Sequence, residues 1–269
     1  MPEPAAQQLE DHRRITAALG RLRPQRPGTV DAYVVVIALD SDPVFSREAR
    51  EAGRVLSSRF DAAGRTLVLA NDEGQQVADA PGSPHALAVA LARVAEVMDR
   101  NEDVLLLYST SHGQHDVGLV YKDIARGVGA ISPGRLAGLL APLGIRNRLL
   151  ILQACYSGQF VPALRGPTTI VVTASAEDRS SFGCQAGNDW TLFGDALINH
   201  AMRQPLPFDL QLRRANALIA AAEEQAKLPA SNPQVSVGSE TSAWLNALEL
   251  RAPKVASVPV GSPIPGLGI

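Results

Sequence analysis

Apolar residues follow two alternating rhythms along this chain. Short, nearly unbroken runs at residues 32–39 (AYVVVIAL), 66–70, 104–108, 148–153 and 169–173 read as strands buried on both faces. Between them, apolar positions recur at helical spacing. Phe45, Ala49, Ala52, Leu56 and Phe60 form one such face, and Leu87, Leu91, Val94 and Met98 a second. Leu136, Leu139, Leu140 and Leu143 form a third. These three helices open on a capping residue followed by proline, at Asp42-Pro43, Ser83-Pro84 and Ser132-Pro133.

An opening helix fits Leu9, His12, Ile15, Leu19 and Leu22, and ends before the break from Pro24 to Gly28. Further helices are expected over 192–202 and 209–227, a small hairpin over 119–124, and a closing strand over 234–237. Strands alternating with helices specify an α/β fold, a mostly parallel sheet of about six strands covered by helices. Residues 1–28 form an N-terminal helix and linker, and 29–250 one domain. The proline- and glycine-rich tail 251–269 has little to pack and is expected to be disordered.

Composition narrows the function classes. With 269 residues, 46% hydrophobic, 19% charged and a net charge of −2, the chain is an ordinary globular one. It has no basic stripe with interleaved aromatics, so no nucleic-acid partner is expected. The basic residues from Arg13 to Arg23 follow the acids Glu10 and Asp11 and read as a solvated helix face. Two cysteines cannot build a disulfide framework. No run of eighteen apolar residues exists to span a membrane, and the opening MPEPAAQQLEDHRR carries no apolar signal core. The expectation is a protein that stays where it is made, or one whose export segment lies outside this sequence. Composition says nothing of oligomeric state.

The chemistry sits at two strand ends, where ligands bind in open α/β sheets. The third strand runs into YSTSHGQH and the fourth into ILQACYSGQF, so His112-Gly113 and Cys155 face one crevice if these strands are parallel neighbours. An imidazole beside a thiol, whose free pKa is ~8.5, is the minimum set for covalent acyl transfer. Gly113 lets the backbone approach a substrate carbonyl and aim an N–H at it, with the Cys155 N–H as a second donor. Singly, a buried cysteine is ordinary core filler and a His-Gly an ordinary turn; at the tips of consecutive strands they read together. His112 and His115 form an H-x-x-H pair without further ligands nearby, so no metal and no cofactor is expected. A G-x-S-x-G nucleophile elbow is absent.

The order strand–His-Gly, helix, strand–Ala-Cys resembles the caspase-like cysteine peptidases. Cys155 follows His112 by 43 residues, against about 50 in caspases. The likeness is nearer to the legumain family of asparaginyl endopeptidases, which includes the catalytic subunit of the GPI transamidase. SHGQHDVGLVYKD resembles that family's His-Gly segment, and LQACYSGQF its Glu-Ala-Cys-Glu-Ser-Gly segment. TASAEDRSSFGCQAGNDWTLFGDA resembles the stretch running from its fifth strand into the next helix.

The resemblance, covering about residues 32–202, implies a caspase-like three-layer α/β/α sandwich and a cysteine endopeptidase acting on polypeptides. Cys155 would be the nucleophile, His112 the acid/base, and the N–H groups of Gly113 and Cys155 the oxyanion hole. The carried-over substrate pocket comprises Arg47, Gln153 (a glutamate in the family), Ser180, Ser181 and Asp195, and implies cleavage after Asn or Asp. The family's asparagine near the histidine falls on Val44, leaving Asp40 or Asp42 to stand in, and Cys184 is taken as structural. Two other functions use the same residues: a transpeptidase or ligase, and a non-catalytic binding module of the same fold.

Overall fold

Strand β1 (Ala32–Ala38) is buried along its whole length, with Val34 and Val36 packing on one side of the sheet and Tyr33, Val35 and Ile37 on the other. Such a strand needs a layer of helices on each face. The computed structural model describes residues 4–262 and 264. Beside β1 stand β2 (Thr66–Leu69) and β3 (Val104–Thr110), then β7 (Asn147–Gln153), β8 (Thr169–Thr173) and β9 (Gln234–Val237). The order is β2-β1-β3-β7-β8-β9, parallel throughout except for β9, which runs antiparallel to β8.

One apolar layer gathers α2 (Pro43–Arg59), α7 (Phe208–Gln225) and α8 (Ser242–Glu249). The other gathers α1 (Pro4–Gly20), α3 (Pro84–Val97) and α4 (Pro133–Leu140), followed by the short α5 (Val161–Leu164). The result is the expected three-layer α/β/α sandwich. Where the sequence suggested a small hairpin, a separate three-stranded sheet forms from β4 (Gly113–Gln114), β5 (Gly118–Asp123) and β6 (Gly127–Ile131).

Several expectations are corrected. Ser83 and Ser132 cap α3 and α4 as the sequence predicts, but Asp42 makes no side-chain cap bond to α2. The face of α1 is Ile15 and Ala18, continued by Leu22, while Leu9 is exposed. The helix expected over 192–202 begins as a short α-turn, α6 (Leu192–Gly194), and continues as π-helix over Asp195–Ala201. Helix α8 matches no expectation; it is anchored by buried Trp244 and Leu248.

The tail also differs: its described part is held in place. The Val260 carbonyl accepts from Trp190 Nε1 (2.9 Å) and Asn199 Nδ2 (3.0 Å), and its N–H donates to Asn199 Oδ1 (2.9 Å). Ser257 and Ser262 donate backbone N–H bonds to Arg203 O and Asp189 Oδ2, and Ile264 is buried. A proline- and glycine-containing segment is retained because its backbone groups find partners on Asp189, Trp190, Asn199 and Arg203.

Candidate active site

Strands β3 and β7 pair in parallel with Thr110 opposite Gln153, so His112 and Cys155 lie the same two residues beyond matched positions. The Ser111 N–H still donates to Gln153 O (3.2 Å), which carries the alignment past the strand ends. A Cβ placed on Gly113 would fall 2.0 Å from the Cys155 carbonyl oxygen. Only glycine permits that approach, which presses the residue after the histidine onto the backbone of the cysteine. Beyond Cys155 the chain turns sharply: Tyr156 is left-handed at φ 59° and leads into a single 3₁₀ turn, Ser157–Phe160.

The imidazole of His112 is fixed from below and from the side. Its Nε2 lies 3.2 Å from Asp42 Oδ2, and Phe45 meets the ring edge-on with centroids 5.0 Å apart. The His112 carbonyl accepts from Val120 N–H (2.9 Å), binding this segment to β5. Asp42 reaches the site because its carboxylate faces the crevice and leaves the end of α2 uncapped. The Cys155 thiol meets Ser181: Sγ accepts its backbone N–H at 3.3 Å and lies 3.4 Å from its carbonyl oxygen. Among the described residues the hydrogen bonds hold the imidazole on Asp42 and the thiol on Ser181. Nδ1 is the ring nitrogen left uncommitted.

The other sequence candidates are distributed differently. Gln153 is buried, and its Oε1 accepts from Thr110 Oγ1 (2.9 Å) and Ser111 N–H (3.3 Å). Ser180 Oγ donates to Tyr156 Oη at 3.4 Å, beside the turn that follows Cys155. Arg47 donates to the carbonyls of Ala186 (2.7 Å) and Asn188 (3.1 Å), and lies 3.5 Å from Glu73 and 3.7 Å from Asp189. It therefore ties down the loop before α6. Asp195 is buried in the π-helix, bonded to Asn199 Nδ2 (2.7 Å) and 3.5 Å from His200, and burial pushes its carboxyl pKa up. Thus Gln153, Ser180 and Ser181 adjoin Cys155 or its turn, whereas the polar contacts of Arg47 and Asp195 lie elsewhere.

Cys184 is half-buried and packs against the core. Burial pushes its thiol pKa up, and the nearby charges of Cys155, Asp42 and Glu48 add to the effect. His115 pairs with Asp116 (2.8 Å) and abuts the Tyr156 ring, apart from His112.

Glu48 escaped the sequence reading. It is fully buried in α2 and accepts from Tyr108 Oη (2.7 Å), Thr191 N–H (2.8 Å) and Thr191 Oγ1 (2.7 Å). It links α2, β3 and the start of α6 beneath the site, and burial pushes its carboxyl pKa up. Its place three residues after Phe45, on the apolar face of the predicted helix, was the available signal.

Residues 82–227, just over half the chain, match the sequence profile of the Peptidase C13 family. No curated protein matches. Among solved structures, caspase-1 from Spodoptera frugiperda is similar at 15% identity and a TM-score of 0.51, covering 81% of this chain and 93% of that one. The structure of drICE aligns at 10% identity and a TM-score of 0.49, over 82% of this chain and 92% of that one. At 15% identity the likeness to caspase-1 speaks for the fold alone.

Proposed function

Since the chain belongs to the Peptidase C13 family and is a cysteine peptidase of caspase-like fold, we propose that it is an endopeptidase working through Cys155 and His112. The observation that carries this reading is the paired register of β3 and β7, with Gly113 pressed against the Cys155 backbone. In this mechanism His112 Nδ1 takes the thiol proton while Asp42 holds Nε2–H and orients the ring. The sulfur attacks the substrate carbonyl carbon, and the Ser181 N–H pointing at Sγ supports the thiolate before attack. The N–H groups of Gly113 and Cys155 receive the oxyanion. His112 then protonates the leaving amine, and water, deprotonated by the same imidazole, hydrolyses the acyl-thioester.

For the residue before the cut, Gln153, Ser180 and Ser181 offer polar groups beside Cys155. Arg47 is already committed to two carbonyls and lies near two carboxylates, so it has no spare charge for an acidic side chain. An amide matches such a site better than a carboxylate, and asparagine is favoured over aspartate. Cleavage-site profiling on a denatured proteome tests both parts. Cys155→Ala should abolish cleavage, and undiminished cleavage by that variant would sink the proposal. A preference for basic or apolar residues would overturn the pocket while leaving the dyad. Iodoacetamide should label Cys155 faster than Cys184, whose pKa is pushed up by burial; equal rates would point to a non-catalytic module.

A further inference from the structure

We propose that Asp40, Asp42 and His112 form a binding site for a zinc ion that reversibly switches the imidazole off. The inference rests on the role given to His112 above. One ligand atom from each of the three side chains lies within 4.8 Å of the others. Tetrahedral zinc, with bonds of about 2.0–2.2 Å, spaces its ligands by about 3.4 Å. The 3.2 Å between His112 Nε2 and Asp42 Oδ2 is already close to that spacing.

Asp40 supplies the independent observation. It is 1% exposed; its Oδ1 accepts the Asp42 N–H at 3.0 Å, and its Oδ2 is buried with no hydrogen-bond partner. A buried carboxylate oxygen without a partner is costly, and a cation shared with Asp42 and His112 would satisfy it. One imidazole with two carboxylates suits zinc, whereas calcium and magnesium prefer oxygen alone. A water can complete the fourth position.

Lys122 Nζ, 3.9 Å from Asp42 Oδ1, is the nearby charge opposing a cation; its side chain is half exposed and can swing out. Its competition makes the site one of moderate affinity. Once zinc takes the Nε2 lone pair, the neutral ring must carry its proton on Nδ1. Nδ1 then has no lone pair for the thiol proton, and the Asp42–His112 hydrogen bond is replaced by coordination.

The test is calorimetric titration of the full chain with Zn²⁺, beside cleavage assays with and without EDTA. Wild type and Cys155→Ala should each bind one ion with similar affinity. Asp40→Asn keeps the oxygen that accepts from Asp42 N–H but removes the charge, and should bind at least about tenfold more weakly. Lys122→Gln should bind several-fold more tightly. Zn²⁺ should inhibit wild-type cleavage reversibly, while the cleavage that Asp40→Asn retains should need at least about tenfold more Zn²⁺ for the same fractional inhibition.

Unchanged zinc affinity in Asp40→Asn, or binding lost in Cys155→Ala, would overturn the site, the latter by placing the metal on sulfur. If no variant cleaves peptides yet binding follows this pattern, the site stands and the peptidase mechanism fails. If cleavage occurs and zinc binding ignores Asp40, the mechanism stands and the site fails.

Discussion

Gly113 and Cys155 meet backbone to backbone: a Cβ at position 113 would lie 2.0 Å from the Cys155 carbonyl oxygen and 2.9 Å from its carbonyl carbon. This contact brings the backbones of two neighbouring strand tips against each other, on the two residues whose N–H groups are the proposed oxyanion donors. Because the obstacle is backbone, it cannot move aside as a flexible side chain would.

Gly113→Ala must therefore part the two strand tips. The expected result is a loss of at least about 100-fold in kcat/KM, the order of one lost oxyanion donor. Overpacking should also destabilise the fold by about 1–3 kcal/mol. Peptide kinetics and denaturant melts check the two effects. Normal kinetics in the variant would mean that the close approach plays no part in catalysis.

Asp42 acts on His112 and makes no cap bond to α2. Asp42→Ala should lower kcat about 100-fold through a misplaced ring, with KM little changed. Stability should move by less than about 1 kcal/mol, the scale of a charge at a helix start. Asp42→Asn keeps an acceptor for Nε2–H and should recover most of the lost rate. A variant that loses stability in proportion to activity would refute this division.

Asp103 is fully buried; its carboxylate accepts the N–H groups of Asp31 and Asp99 at 2.8 Å, and burial pushes its pKa up to about 6. In the unfolded chain the same group titrates near ~3.9. Between those values the folded form holds a proton that the unfolded form has lost. Its stabilisation is thus fully present below about pH 4 and declines as pH rises to about 6. Denaturation of wild type and Asp103→Asn across that range should show their stability difference narrowing as pH rises. A constant difference would contradict the assignment.

Asn199 ties the tail to the π-helix by two bonds to Val260, while also bonding Asp195. Asn199→Ala should cost about 1–3 kcal/mol, leaving buried polar groups unpaired. It should also open residues 251–262 to limited proteolysis, read by mass spectrometry. Unaltered protection would show that the contacts of Trp190, Ser257, Ser262 and Ile264 hold the tail without Asn199.

Much of this was legible in the amino-acid order. The apolar runs, the proline-led helix starts and the positions of His112 and Cys155 define an α/β sandwich with a histidine and a cysteine at neighbouring strand ends. Periodicity and capping are local, so residues a few positions apart suffice to read them. What the tertiary structure decided is which distant partner each polar group takes. Asp42 leaves its own helix for His112, seventy residues away in sequence; Gln153 takes Thr110; Asp195 takes Asn199; and Arg47 takes the loop carbonyls of Ala186 and Asn188. Helix α8 and the docked tail belong with these, because both depend on surfaces made by the rest of the chain. A polar side chain has several acceptors of similar strength available in sequence, and burial selects the one that leaves the fewest groups unpaired.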